Sequence, residues 1–191
     1  MSKNTKQFVM DILDIRRRAR QHMEQGALTK TYGCDRDMVV GLLNAALATE
    51  VVCVLRYKRH YYMAQGIHSQ SIRDEFREHA EEELQHVGWL AERIIELGGE
   101  PDFSPHGIAD RAHSEYAEGT NLIDMIEEDL VAERIAIDSY RSMIQYIGDG
   151  DSSSRRVLER ILEVEEEHAE DLVSLLRQRQ SFKTDILPKT G

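Results

Sequence analysis

Three prolines, two cysteines and one tryptophan are all that the 191 residues contain of those types. So few prolines leave long stretches free of the residue that breaks helices. Cys34 and Cys53 are too few for the dense disulfide framework of small secreted scaffolds, which points to a reducing cytoplasm. Nothing resembles a signal peptide, and no apolar run reads as long enough to span a bilayer, so no membrane partner is expected. Positive charge is scarce too: 24 Lys and Arg face 35 Asp and Glu, a formal net charge of −11. Acidity of that degree attracts cations and opposes nucleic acid as a partner. Clusters of β-branched residues are few, which removes the main signature of strands.

What remains is helical periodicity, in a length that suits one domain with a sizeable core. An amphipathic segment over residues 6–25 ends near Gly26. Asp35 reads as the N-cap of a long helix reaching residue 65, stopped by Gly66. Ser71, with Asp74 three residues on, opens a second that runs to Leu97 before Gly98-Gly99. A third follows Thr120 and runs to Ile147; after "GDGDSSS" a fourth reaches Arg179, and "SFKTDILPKTG" reads as a frayed tail. Residues 1–34 are then an N-terminal helix and connector, 35–180 a helical bundle, and 181–191 the tail. Two connections are short. The one over residues 98–120 is long, part of it ("IADRAHSEYAEG") with the capacity for a short helix. A helix of this length is ~40 Å long, and the link reaches ~70 Å when extended, so it can recross the bundle. The predicted fold is all-α: a ferritin-like four-helix bundle with one long crossover and an extra N-terminal helix.

Each long helix carries an apolar stripe, and each stripe contains one glutamate near its middle. Glu50 lies with Leu43, Leu47, Val54, Tyr57 and Tyr61; Glu83 with Phe76, Ala80, Val87, Leu90 and Ile94. Glu133 lies with Leu122, Ile126, Leu130, Ile137, Tyr140 and Ile144; Glu165 with Leu158, Leu162, Ala169, Leu172 and Leu176. A lone buried carboxylate costs several kcal/mol or stays protonated, and four converging would be worse unless cations sat between them. His86 follows Glu83 by three residues, and His168 follows Glu165 by three, so each pair shares a helical face and can hold one ion. In "EVEEEHAEDL", then, Glu165 and His168 point inward while Glu163, Glu166 and Glu167 look outward.

The pattern is repeated within the chain. Glu50 precedes Tyr57 by seven residues, and Glu133 precedes Tyr140 by seven; each pair is followed by its own Glu-x-x-His. Two copies of one hairpin would build a pseudo-two-fold centre for two metals, bridged or capped by Glu50 and Glu133. This six-residue arrangement is the known template of ferritin-like di-metal carboxylate proteins. Tyr57 and Tyr140 stand where each could donate a hydrogen bond to the ligands across the bundle. Carboxylates and imidazoles without thiolate suit iron or manganese, and zinc also fits. Four carboxylates neutralise two divalent ions. Oxidation adds two positive charges that an oxygen-derived bridge offsets, so Fe(II) oxidation by H2O2 or O2 is the expected chemistry.

The stretches "LLNAALATEVVCVLRY", "EEELQHVGWLAERIIELGGEP", "EEDLVAERIAIDSYR" and "VLERILEVEEEHAEDL", together spanning about residues 38–176, resemble the bacterioferritin branch of the ferritin superfamily. The resemblance implies that Glu50, Glu83, His86, Glu133, Glu165 and His168 ligate two iron ions per subunit, with Tyr57 the neighbouring tyrosine of the catalytic site. It also implies iron storage and detoxification: Fe(II) is oxidised, and Fe(III) mineral is kept inside a hollow homo-oligomer. Leu84 stands where bacterioferritins place the haem-ligating methionine, which disfavours haem. The poor fifth helix, the leading helix and the long crossover look more like Dps-like mini-ferritins, so a dodecamer is favoured over a 24-subunit shell. Dps proteins put their iron site between subunits; here all six ligands belong to one bundle.

Other residues invite readings that weigh less. "RRRAR" at residues 16–20, with Lys3 and Lys6, invites a DNA-binding reading; basic residues on a solvated helix face are the commoner meaning. Cys34 and Cys53 read as inert thiols, Trp89 and His60 as core or interface, and His106, Asp110 and His113 as loop surface. Glu78 and Glu82 either face a mineral cavity or are ordinary solvated glutamates. The competing enzyme class is a ferritin-like peroxidase or manganese catalase, which shares the paired Glu-x-x-His logic. A rubrerythrin would add a cysteine cluster that this chain lacks. The non-enzymatic reading is a DNA-protecting or purely structural helical oligomer.

Overall fold

Asp35 starts the first long helix by accepting the backbone N–H groups of Asp37 and Met38, donors that a first helical turn leaves unpaired. That helix is α2, Arg36–Met63. It belongs to a computed structural model that describes residues 8–66 and 69–186, with side chains through residue 178. The chain divides into two units, Met1–Tyr32 and Gly33–Gly191.

The second unit contains four long helices. After α2 come α3 (Ser69–Glu96), the single turn α4 (Ile108–Arg111), α5 (Leu122–Ile147) and α6 (Ser152–Ile186), with no strand among the described residues. Asn121 caps α5 through the N–H groups of Ile123 and Asp124, and Asp151 caps α6 through those of Ser153 and Ser154. The hairpins α2–α3 and α5–α6 pack side by side, α2 against α5 and α3 against α6. Leu43, Leu47, Tyr57, Phe76, Leu90, Ile94, Ile126, Tyr140, Leu158 and Leu172 are all buried between them. Burying each side chain of that size contributes ~1.5–3 kcal/mol, so the stripes drive the assembly of the helices.

The long connection is a strap along α2. From the α3 end onward, Asn44 bonds Glu100 O and Asp102 N, Thr49 accepts from His113 N, Arg56 donates to Glu115 O, and His60 Nε2 meets Glu118 O. Those anchors advance together along α2 and along the strap, so the crossover traverses the bundle and α5 starts at the far end. The helical capacity read into this link is realised as one turn only. Ala112 has extended backbone, and the strap spends its polar groups on α2 rather than on itself. At the other end, Gly33 N donates to Gly150 O. A Cβ on Gly33 would lie 3.0 Å from the Gly150 backbone, a tight contact, so glycine eases this approach of the α5–α6 turn to the start of α2.

Three expectations change. The N-terminal unit is not one helix over residues 6–25 but α1 (Ile12–Arg18) and a 3-10 turn (Met23–Gln25), with left-handed His22 between them. None of its residues is buried in these elements, and a helix without a buried face rarely extends beyond a turn or two. The fourth bundle helix continues through Ile186, so residues 181–186 prolong α6; residues 187–191 lie outside the described residues, as do Lys3 and Lys6. Finally, α2 holds an 18-residue window of mean hydropathy 2.1, long and apolar enough to cross a membrane by composition. Half of that window is buried inside the protein, as expected of a core helix, which meets the same compositional test.

Candidate metal centre

The four stripe glutamates converge. Glu50, Glu83, Glu133 and Glu165 are each at most 1% exposed, as are His86 and His168. They form two groups, Glu50–Glu83–His86–Glu165 and Glu83–Glu133–Glu165–His168, whose donor atoms lie within 4.8 Å of one another. Glu83 and Glu165 belong to both groups; Glu50 and Glu133 each belong to one. The geometry therefore distinguishes two roles the sequence left open: the Glu-x-x-His glutamates sit between the groups, and the glutamates of α2 and α5 cap them.

In the first group, His86 Nδ1 lies 3.1 Å from Glu50 Oε2, 3.1 Å from Glu83 Oε2 and 3.0 Å from Glu165 Oε1. In the second, His168 Nδ1 is 3.7 Å from Glu83 Oε1 and 3.5 Å from Glu165 Oε2. Helix geometry makes this automatic, since residues three apart on α3 and on α6 share a face. The capping carboxylates are held crosswise. The Tyr57 hydroxyl of α2 donates to Glu133 Oε1 of α5, and the Tyr140 hydroxyl of α5 donates to Glu50 Oε1 of α2 at 2.5 Å. Burial, then the Glu133 charge, pushes Tyr57 well above the usual phenol range; burial and Glu50 do the same to Tyr140, so both stay donors.

Protons occupy this cluster where cations would otherwise compensate it. Burial and the Glu83 charge raise Glu50 to about 8, and burial raises Glu133 well above its ordinary value. Glu83 and Glu165 are also pushed up by burial, but hydrogen bonds pull both below the ordinary range, from Glu50 and the two imidazoles for Glu83 and from the imidazoles for Glu165. Burial opposes charge on His86, yet Glu165, Glu50 and Glu83 lift it to about 12; His168 is raised in the same way. Hydrogen bonds still do not close. Glu83 Oε1, Glu133 Oε2, Glu165 Oε2 and His168 Nδ1 are buried without a hydrogen-bond partner. Orphaned buried acceptors cost ~1–3 kcal/mol each. An ion bound by these oxygens and nitrogens removes that cost at every one of them, and the donor set, oxygen plus imidazole, fits divalent iron, manganese or zinc.

Residues 40–181, most of the chain, match the ferritin-like domain. This chain belongs to the ferritin-like family. A nutrient stress-induced DNA-binding protein of Synechococcus is 32% identical over 137 residues, 70% of this ferritin-like chain and 78% of the relative. A bacterioferritin of Desulfovibrio desulfuricans is 28% identical over 131 residues, covering 68% and 69%. Among solved structures, a dodecameric thioferritin, the bacterioferritin-related protein of Bacteroides fragilis, superposes with a TM-score of 0.78 at 30% identity, covering 81% of this chain and 94% of that one.

Further groups surround the cluster, some of them unread or read only in outline from the sequence. Arg56, His60 and Asp129 form a buried network one turn from the capping glutamates: Arg56 Nε donates to Asp129 Oδ1 at 2.8 Å, and His60 Nδ1 meets Asp129 Oδ2 at 2.8 Å. Spacing could have revealed it, because Asp129 precedes Glu133 by four residues and Arg56 precedes His60 by four. Glu82 meets His168 Nε2 at 2.7 Å and so orients that ring from outside the cluster. His79, which the sequence reading left unremarked, stacks on His168 with centroids 4.0 Å apart. Trp89 sits 5.3 Å from His86 and carries Arg160 over its ring. Cys34 and Cys53 are free, and burial raises both thiols, which keeps them unreactive. Leu84 is 56% exposed and offers no ligand atom on that face.

Proposed function

We propose that the two groups bind paired Fe(II) as substrate and oxidise it to Fe(III), with H2O2 or O2 taking the two electrons, and that the Fe(III) is stored as mineral in a homo-oligomeric shell. One observation carries this reading: two four-residue groups that share Glu83 and Glu165 and leave buried oxygens without hydrogen bonds. Glu50, Glu83, His86, Glu133, Glu165 and His168 are the ligands. Tyr57 and Tyr140 position the capping carboxylates. Four carboxylates match the charge of two Fe(II) ions, and the protons held on His86, His168, Glu50 and Glu133 leave as metal enters. Those protons are then near the oxidant, whose reduction consumes two: H2O2 with two protons and two electrons yields two waters.

A dodecamer is the favoured assembly, since the Bacteroides fragilis relative is described as dodecameric. Haem is not part of the proposal, because Leu84 supplies no ligand. Free Cys34 and Cys53 favour the cytoplasm as the place where this chemistry runs. Anaerobic Fe(II) titration followed by peroxide and then air tests the reading. The expected result is two Fe(II) per chain, rapid oxidation, and then hundreds of irons per assembly. Glu50→Ala or Glu133→Ala should slow oxidation by at least a hundredfold, and wild-type rates in either variant would refute the assignment. Peroxide turnover without mineral would favour the peroxidase or catalase reading instead. DNA binding has weaker support: of the "RRRAR" arginines, Arg17 and Arg18 pair with Asp14 at 2.5 and 2.6 Å.

A further inference from the structure

Beside the His168 half of the centre, three further side chains gather. His79 of α3 is 2% exposed. Its Nε2 faces Glu75 Oε1 at 3.5 Å and Asp171 Oδ2 of α6 at 3.8 Å. Both distances exceed the roughly 2.7–3.2 Å of an N–H···O hydrogen bond. They are instead the spacing of donors that share an ion: two atoms each ~2.1 Å from a metal, at a tetrahedral angle, lie ~3.4 Å apart. The other ring nitrogen, Nδ1, is buried with no partner at all. Donor atoms of all three residues fall within 4.8 Å of one another, so two carboxylates are drawn together against their mutual repulsion. Among the described residues no arginine or lysine is paired with either of them, and the imidazole alone does not bond them. The carboxylates are partly open, Glu75 30% and Asp171 46% exposed, which gives an ion access from outside.

The geometry points to a third divalent-cation site at Glu75, His79 and Asp171, separate from the paired groups and adjoining them through the His79–His168 ring stack. One imidazole and two carboxylates with an open side suit a cation that completes its shell with water, as zinc, Fe(II) or manganese does. The site stands without the paired-iron reading, since it shares no ligand with either group. Its nearness to His168 makes it a holding position for an ion outside the second group.

Zinc titration of the metal-free, full-length protein, read by calorimetry and by anomalous diffraction from zinc-soaked crystals, tests this. Wild type should take three zinc ions per chain, with one anomalous peak ligated by His79 Nε2. Glu75→Gln/Asp171→Asn, which alters partly exposed side chains and leaves the core intact, should take two and lose that peak; His79→Ala should behave alike. Glu50→Gln/Glu133→Gln should keep the His79 peak while losing zinc from the paired groups. A wild-type count in Glu75→Gln/Asp171→Asn, or no peak beside His79 in wild type, overturns the site. Full zinc binding in Glu50→Gln/Glu133→Gln would strike the paired-group reading instead.

Discussion

Two buried polar clusters lie on the same helices and are built on opposite terms. The Arg56–Asp129–His60 network holds both Arg56 and His60 on Asp129 at 2.8 Å, and its guanidinium and ring nitrogen also reach the crossover at Glu115 O and Glu118 O, at 3.0 and 3.1 Å. Its guanidinium faces a carboxylate directly. One turn along, the glutamate cluster gathers four carboxylates and two imidazoles and still leaves buried atoms unpaired. A network closed by its own side chains clamps α2 to α5 and to the strap. One that stays open is complementary to something the polypeptide does not supply. The contrast separates a structural buried charge from a functional one without reference to any relative.

Breaking the closed network should have the largest effect on the fold. Asp129→Ala leaves Arg56 charged and buried without its carboxylate, so the protein should lose ~3–5 kcal/mol of stability in denaturant unfolding. Glu133→Gln, on the same helix face, should change metal-free stability by less than ~1 kcal/mol, because Glu133 is already held neutral by burial and the charges of Glu83 and Glu165. Equal losses in the two variants would erase the distinction.

Next in size is the response to metal. An ion that binds only the folded chain at a hundredfold its dissociation constant adds ~2.7 kcal/mol. Zinc should therefore raise the melting temperature of the wild type and of a conservative Arg56→Lys variant that still folds, while Glu83→Gln, which removes a ligand shared by both groups, should keep only the smaller gain that the site at His79 supplies. Calorimetry with and without zinc reads the difference.

A smaller effect is the pH dependence of the metal-free protein. Glu50 stands at about 8 and His86 at about 12, each above its unfolded value. Stability from such groups is complete below the unfolded value and fades as pH rises through the folded one. Metal-free protein should thus lose a few degrees of melting temperature between pH 6.5 and 9, with the Glu50 part falling through about 8. The lowered Glu83 and Glu165 lose their share only in acid. Zinc-loaded protein, whose ligands have already shed these protons, should be flatter over the same range; a metal-free profile that climbs with pH contradicts the assignment.

Smallest should be Tyr140→Phe, which removes one hydrogen bond to Glu50, ~1 kcal/mol, and should slow Fe(II) oxidation several-fold while leaving two ions bound. Tyr57→Phe should match it, since Tyr57 serves Glu133 in the same way.

The bundle and its six central residues were legible because each lies on a 3.6-residue stripe where a charge is out of place. Periodicity alone put Glu50 beside Leu43 and Leu47, and Glu165 beside Leu158 and Leu172. Asp129 was hidden in "EED", where three acids look equivalent until the phase of Ile126 and Glu133 selects one. His79 was unread because its meaning depends on Asp171 of another helix, a juxtaposition that no spacing within α3 encodes. The N-terminal segment was over-read: amphipathicity predicted a helix over residues 6–25, but periodicity without a surface to bury it sustains only Ile12–Arg18.

The crosswise tyrosines make each hairpin the custodian of the other's cap, so damage to either hairpin disturbs both. Yet the copies have been furnished differently: Trp89 attends one imidazole, whereas His79 and Glu82 attend the other. With such unequal surroundings, the two groups should take up metal in sequence rather than together, and spectroscopy of a half-loaded sample would see one environment before the second.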